Sequence, residues 1–164
     1  LNIYKEIFGK IRKSDRSDSV VIIGLGNTDR ADDGVGIVVS AALKKEFPQQ
    51  VFVETEGSVE AIVLDHLDEK RFVTFLFVDA VDFGAPPGSV RLFGKDDIDT
   101  IVLPVSTHKV PISLLIDIIN KHNREAFLLG IQPESMKLFG EITPRVRKII
   151  RELESSLKEF LSSG

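Results

Sequence analysis

The stretch Phe72-Val73-Thr74-Phe75-Leu76-Phe77-Val78 constrains this chain more than any other. Its residues are aromatic, β-branched or Leu, with no charge until Asp79. Side chains alternate between the two faces of a strand, so a run that is uncharged throughout and apolar at every position but Thr74 needs a cover on both faces. It therefore predicts a central strand of a buried, mostly parallel sheet. Val20-Val21-Ile22-Ile23, closed by Gly24, and Ala126 to Ile131 have the same character, and Val51-Phe52-Val53 reads as a shorter strand.

Helical periods fall between these runs. Val35, Ile37, Val38, Ala41, Ala42, Leu43 and Phe47 mark a helix stopped by Pro48. Val59, Ile62, Val63, Leu64 and Leu67 mark a second, and Leu114, Leu115, Ile118 and Ile119 a third opened by Pro111. Thr143-Pro144 starts a long C-terminal helix carrying Val146, Ile149, Ile150, Leu153, Leu157 and Leu161. Ile3, Ile7, Phe8 and Ile11 suggest a short amphipathic helix packed outside the core, with a polar break from Ser14 to Ser19. Val90 to Phe93 follows the turn Ala85-Pro86-Pro87-Gly88 with no room for a crossover helix, so it is expected as an antiparallel edge strand of a hairpin-like excursion. The sum is a three-layer α/β/α sandwich on a mostly parallel sheet with one antiparallel strand. At 164 residues a single domain spanning 1–164 is expected, with 1–18 as helix and linker before a core at 19–164.

Composition narrows the chemistry. No cysteine is present, which removes disulfides, thiolate nucleophiles and Cys-based zinc sites. The formal net charge of −4 provides no basic face for nucleic acid. No apolar run approaches the roughly 18 residues of a membrane span, and the N-terminal segment has no signal-peptide pattern, so a cytoplasmic protein without membrane partners is expected. HExxH, GxSxG and P-loop patterns are absent as well.

In such sheets, ligands sit beyond the carboxyl ends of the strands. There the first strand runs into Gly24-Leu25-Gly26-Asn27-Thr28-Asp29-Arg30-Ala31-Asp32-Asp33-Gly34. A dinucleotide fold starts similarly, and Glu54 after the second strand mimics its ribose acid. The fingerprint then fails, because Asp29 stands at its third glycine position and Asp32 and Asp33 follow where a pyrophosphate would approach. Two like charges about 4 Å apart repel by roughly 4 kcal/mol at an effective dielectric near 20, so an anion is the wrong ligand. Asp32 reads as a helix cap. Asp33 and Asp79, the latter ending the central strand, should emerge at one sheet edge. Of the three histidines, His66 and His122 read as surface residues of helices, whereas His108 lies in the polar loop Val105-Ser106-Thr107-His108-Lys109-Val110-Pro111. Two carboxylates and an imidazole suit a divalent cation with open coordination positions. Ser58 and Ser106 read as helix caps.

Together, Gly24-Leu25-Gly26-Asn27 with Asp32-Asp33-Gly34, Phe77-Val78-Asp79-Ala80, Thr107-His108-Lys109-Val110-Pro111 and Leu129-Gly130-Ile131-Gln132-Pro133 resemble the maturation endopeptidases of nickel-iron hydrogenases. The Thr-His and Gly-Ile-Gln-Pro pieces look most like the branch serving formate-hydrogenlyase-type hydrogenases. The resemblance implies a five-stranded twisted sheet and a peptidase core over 19–164. It also implies that Asp33, Asp79 and His108 are the metal-binding and catalytic positions. The metal would be nickel presented by the substrate, a hydrogenase large-subunit precursor losing its C-terminal extension. No tightly held metal of the chain's own is then expected, and a monomer is the default. Many members carry Asp-Gly-Gly where this chain has Glu54-Thr55-Glu56-Gly57-Ser58. Two other readings stay open: a docking or chaperone module that binds the precursor without cutting it, and a nucleotide-binding enzyme on a similar sheet.

Overall fold

In the computed structural model, which describes residues 3–11, 18–98, 101 and 111–163, the apolar runs become one sheet. Its strands are β1 (Val20–Gly24), β2 (Val51–Val53), β3 (Thr74–Ala80), β4 (Val90–Phe93) and β5 (Glu125–Ile131), in the order β2-β1-β3-β5-β4. β3 is central, as its composition requires, and begins two residues later than the apolar run, so that Asp79 is its penultimate residue. The pairs of β1 with β2, β1 with β3 and β3 with β5 are parallel.

The helices are α1 (Ile3–Phe8), α2 (Val35–Lys44), α3 (Val59–Leu67), α4 (Lys95–Ile98), α5 (Ile112–Lys121) and α6 (Pro144–Ser162). Strand alternation sorts them into two layers. Val20, Ile22, Leu76, Val78, Leu129 and Ile131 pack with α1, α2 and α6 on one face. Val21, Ile23, Phe75, Phe77 and Leu128 pack with α3, α4 and α5 on the other. Phe72, Phe75 and Phe77 are fully buried. At roughly 1.5–3 kcal/mol for each such side chain removed from water, they anchor the second layer. The expected three-layer α/β/α sandwich is therefore the observed one.

β4 is antiparallel, as the short connection demands, and lies at the sheet edge. The hairpin-like excursion is corrected in its pairing: β4 bonds to β5, which lies between it and β3. The connection from β3 needs to span only two strand spacings of about 4.8 Å, which it does easily without a helix. α1 lies on α6, where Tyr4, Ile7, Phe8 and Ile11 are buried and Ile3 is exposed. Tyr4 Oη donates to Glu152 Oε2 at 2.8 Å. Leu64 also departs from its expected role, facing solvent on α3. Pro111 is the N-cap residue of α5 rather than its first helical residue, and Thr143 is the N-cap residue before Pro144 of α6. No described helix is long and apolar enough to cross a membrane.

Candidate functional site

β1 has β2 on one side and β3 on the other, so the strand order reverses at β1. A crevice at such a reversal, outside the carboxyl ends of the strands, is where open α/β sheets bind ligands. Gly24 is in register with Val78, and the Leu25 N–H donates to Val78 O at 2.9 Å. The chain therefore leaves β1 directly beside Asp79.

The glycines here are set by close approach. Gly26 has φ +133°, and a Cβ on it would lie 2.0 Å from the carbonyl oxygen of Asp33 and 3.5 Å from Asp79 Oδ1. A Cβ on Gly36 would lie 2.1 Å from Val78 O and 2.3 Å from Leu25 O. The start of α2 is thus pressed onto the ends of β1 and β3, which only residues without side chains permit.

Asp33 sits in a short 3₁₀ turn, Ala31–Gly34, that leads into α2. Its carbonyl accepts the Asn27 N–H at 3.2 Å and its N–H donates to Arg30 O at 3.1 Å. Asp79 follows the facing of Phe75 and Phe77, and its Oδ1 accepts the Ala80 N–H at 2.8 Å. Both aspartates are half-buried. The backbone of Asp33 and the carboxylate of Asp79 thus flank Gly26. His108, the third candidate, lies outside the described residues, as does Ser106. Among the described residues no three His, Cys, Asp or Glu side chains form a metal-sized cluster. At this crevice the structure thus places the Asp79 carboxylate, a hard oxygen donor of the type divalent cations take, and the backbone of Asp33.

Three residues around this crevice do work that local spacing did not reveal. The reading of Asp32 as a cap of its own helix is corrected, since the helix starts at Ala31 and Val35 have no side-chain cap bond. Asp32 is instead fully buried and accepts the N–H groups of Glu134, Ser135 and Thr143 at 2.9, 3.0 and 2.7 Å, as well as the Thr143 hydroxyl at 2.9 Å. It ties the loop that carries Asp33 to the segment between β5 and α6. Glu54, the mimic of a ribose acid, accepts the Gly26 N–H through Oε1. That N–H is a donor a pyrophosphate would want, so the loop meets a carboxylate where a nucleotide fold would hold phosphate.

Gln132, in the Gly-Ile-Gln-Pro piece, is the third. Its Oε1 accepts the Phe83 and Ala85 N–H groups at 2.8 and 3.3 Å, and its Nε2 donates to Asp82 Oδ1 at 3.0 Å. Hydrogen bonds from Gln132 and from the Gly84 N–H hold the Asp82 carboxyl below its ordinary range. The only hint of this in the sequence was a polar residue directly after an apolar strand. Ser58 caps α3 as expected, accepting the Ala61 N–H at 3.1 Å. His122 is exposed on its helix end, but His66 is corrected from a surface residue to a packed one. Its ring is 4.4 Å from that of Phe52, and its Nδ1 bonds to Ile62 O at 2.8 Å.

Comparison with known proteins matches residues 37–159 to the family model HycI, described as hydrogenase maturation protease. Asp79 and His108 fall inside that span, and Asp33 just before it. The chain is 27% identical over 144 residues to the hydrogenase 3 maturation protease of Escherichia coli K12, covering 88% of this chain and 92% of that protein. Among solved structures, the NiFe hydrogenase maturation protease HycI from Thermococcus kodakarensis superposes with a TM-score of 0.76 at 26% identity, covering 98% of this chain and 99% of that one. The endopeptidase HycI from Escherichia coli superposes with a TM-score of 0.70 at 26% identity, covering 87% and 90%.

Proposed function

Since this chain belongs to the hydrogenase maturation protease family and is an endopeptidase, we propose that it removes the C-terminal extension of a nickel-loaded hydrogenase large-subunit precursor in the cytoplasm. The observation that carries the site assignment is the strand reversal at β1, where the Asp33 backbone and the Asp79 carboxylate flank Gly26. Asp33, Asp79 and His108 engage the nickel that the precursor brings. A cation held there would polarise the scissile carbonyl and lower the pKa of a bound water, or would serve recognition alone while Asp33 or Asp79 acts as general base to an unbound water; either route needs no thiolate, which this chain lacks.

A substrate-borne metal also acts as a checkpoint. Part of the binding free energy exists only once nickel is inserted, and a difference of about 3 kcal/mol already discriminates more than a hundredfold. The test is incubation of the enzyme with nickel-loaded and metal-free precursor at matched concentration, without added metal, read by intact mass. Cleavage of the loaded form alone is expected. Equal cleavage of both rejects the checkpoint. Binding without cleavage by a folded preparation favours the docking module.

A further inference from the structure

The segment between β5 and α6 closes over the loop that carries Asp33. The Ala31 N–H donates to Gly140 O at 3.2 Å, the Asp32 N–H to Ser135 O at 3.0 Å, and the Phe139 N–H to Asp29 O. The buried Asp32 carboxylate fixes the base of the segment through Glu134, Ser135 and Thr143. Backbone and side-chain bonds therefore cross-link the two segments.

At the tip of the segment after β5, Leu138 is 58% exposed and Phe139 79% exposed. Phe139 also has φ +60°, a left-handed backbone that a residue with a large side chain adopts only under strain. Ala31, across the clasp, has φ +49°. Glycine or asparagine at position 139 would relieve the backbone, and any polar residue would relieve the exposure. The chain instead holds a bare aromatic ring in a strained conformation with hydrogen bonds on both sides. Strain together with an exposed apolar pair, beside a candidate site, marks a contact made with something else.

We propose that Leu138 and Phe139 are substrate-contact residues that engage an apolar segment of the precursor while the Asp33 loop meets its metal. This deepens the function proposed above and rests on it. The occupant is the precursor because the Phe139 N–H bonds to Asp29 O, which ties this tip to the loop that the precursor's metal is proposed to meet.

The test uses Phe139→Asn in the full chain, since asparagine tolerates the left-handed backbone and removes only the apolar ring. Affinity for nickel-loaded precursor and cleavage of it are measured separately, with Phe139→Leu as the conservative control. Phe139→Asn is expected to weaken precursor binding at least tenfold and to raise KM with little change in kcat. Its Tm should be unchanged or higher, and Phe139→Leu should recover most of the affinity. Binding by Phe139→Asn equal to wild type overturns the contact even where cleavage is normal. Wild type that binds but does not cleave rejects the endopeptidase assignment, while the binding arm still decides the contact. Wild type that fails to bind the precursor overturns both. A wild-type dimer in sedimentation that Phe139→Asn dissolves assigns the pair to self-association and overturns the proposal.

Discussion

Asp32 Oδ1 accepts the backbone N–H of Thr143 at 2.7 Å across a separation of 111 residues. Thr143 is the residue before Pro144, the first residue of α6, so this one bond joins the start of the C-terminal helix to the loop that carries Asp33. Asp32 and Asp33 are neighbours in sequence with separate tasks. One is buried and holds the crevice wall in place, and the other stands half-buried at the crevice.

Asp32→Asn is expected to destabilise the fold. The new amide brings two donors into a site already filled with donors, leaving buried N–H groups without acceptors at about 1–3 kcal/mol each. A loss of about 2–4 kcal/mol is expected in urea unfolding, as a lower midpoint with unchanged slope.

Gly26→Ala tests the close approach. Its Cβ would stand 2.0 Å from Asp33 O at a φ of +133°, so backbone must move. Because the displaced group is Asp33 itself, cleavage should fall further than stability. A drop of at least about a hundredfold in kcat/KM is expected from misplacing a reacting group by an ångström or so. A variant with wild-type turnover and lowered Tm would confine Gly26 to a structural role.

Asp79→Asn separates charge from shape. The asparagine carbonyl can still accept the Ala80 N–H that Asp79 Oδ1 accepts now, so thermal stability should change little. If Asp79 meets the precursor's metal as proposed, removing its charge should lower cleavage by two orders of magnitude or more, roughly 2.7 kcal/mol of lost transition-state stabilisation.

Metal uptake tests His108 without reference to turnover. The proposed ligand set, two carboxylates and an imidazole with no thiolate, should hold added nickel weakly, so the isolated protein should emerge from chelation without metal. Calorimetric titration should then show one weak site that His108→Ala abolishes. One stoichiometric metal that survives extended chelation would oppose a substrate-borne nickel.

Alkaline pH should loosen the N-terminal helix. Burial first, then the hydrogen bond to Glu152 and its charge, raise the Tyr4 hydroxyl above its ordinary value. Above about pH 10 the unfolded chain releases this proton while the folded one keeps it, so each further unit of pH costs up to about 1.4 kcal/mol. The contribution is complete below that pH and is lost as pH climbs towards the folded value. Tyr4→Phe should flatten the decline of Tm between about pH 9 and 11.

Where strands and helices lie was legible in this sequence because apolar period and turn chemistry are local properties. Phe72 to Val78 announced a central strand, Thr143-Pro144 a helix start, and the short link after Pro86-Pro87 the antiparallel direction of Val90 to Phe93. The placement of Asp79 at the end of β3 and of Asp33 in the loop after β1 followed from the same reading. Partners across the chain were not legible, since a carboxylate carries no mark of which donor it will meet. Only the folded sheet, by closing the segment after β5 over the loop after β1, decided that Asp32 serves Thr143, that Glu54 takes the Gly26 N–H 28 residues away, and that Phe139 is left facing solvent. Residues far apart in sequence meet there because backbone groups removed from water must find acceptors within about 3 Å, and packing brings only certain ones that close.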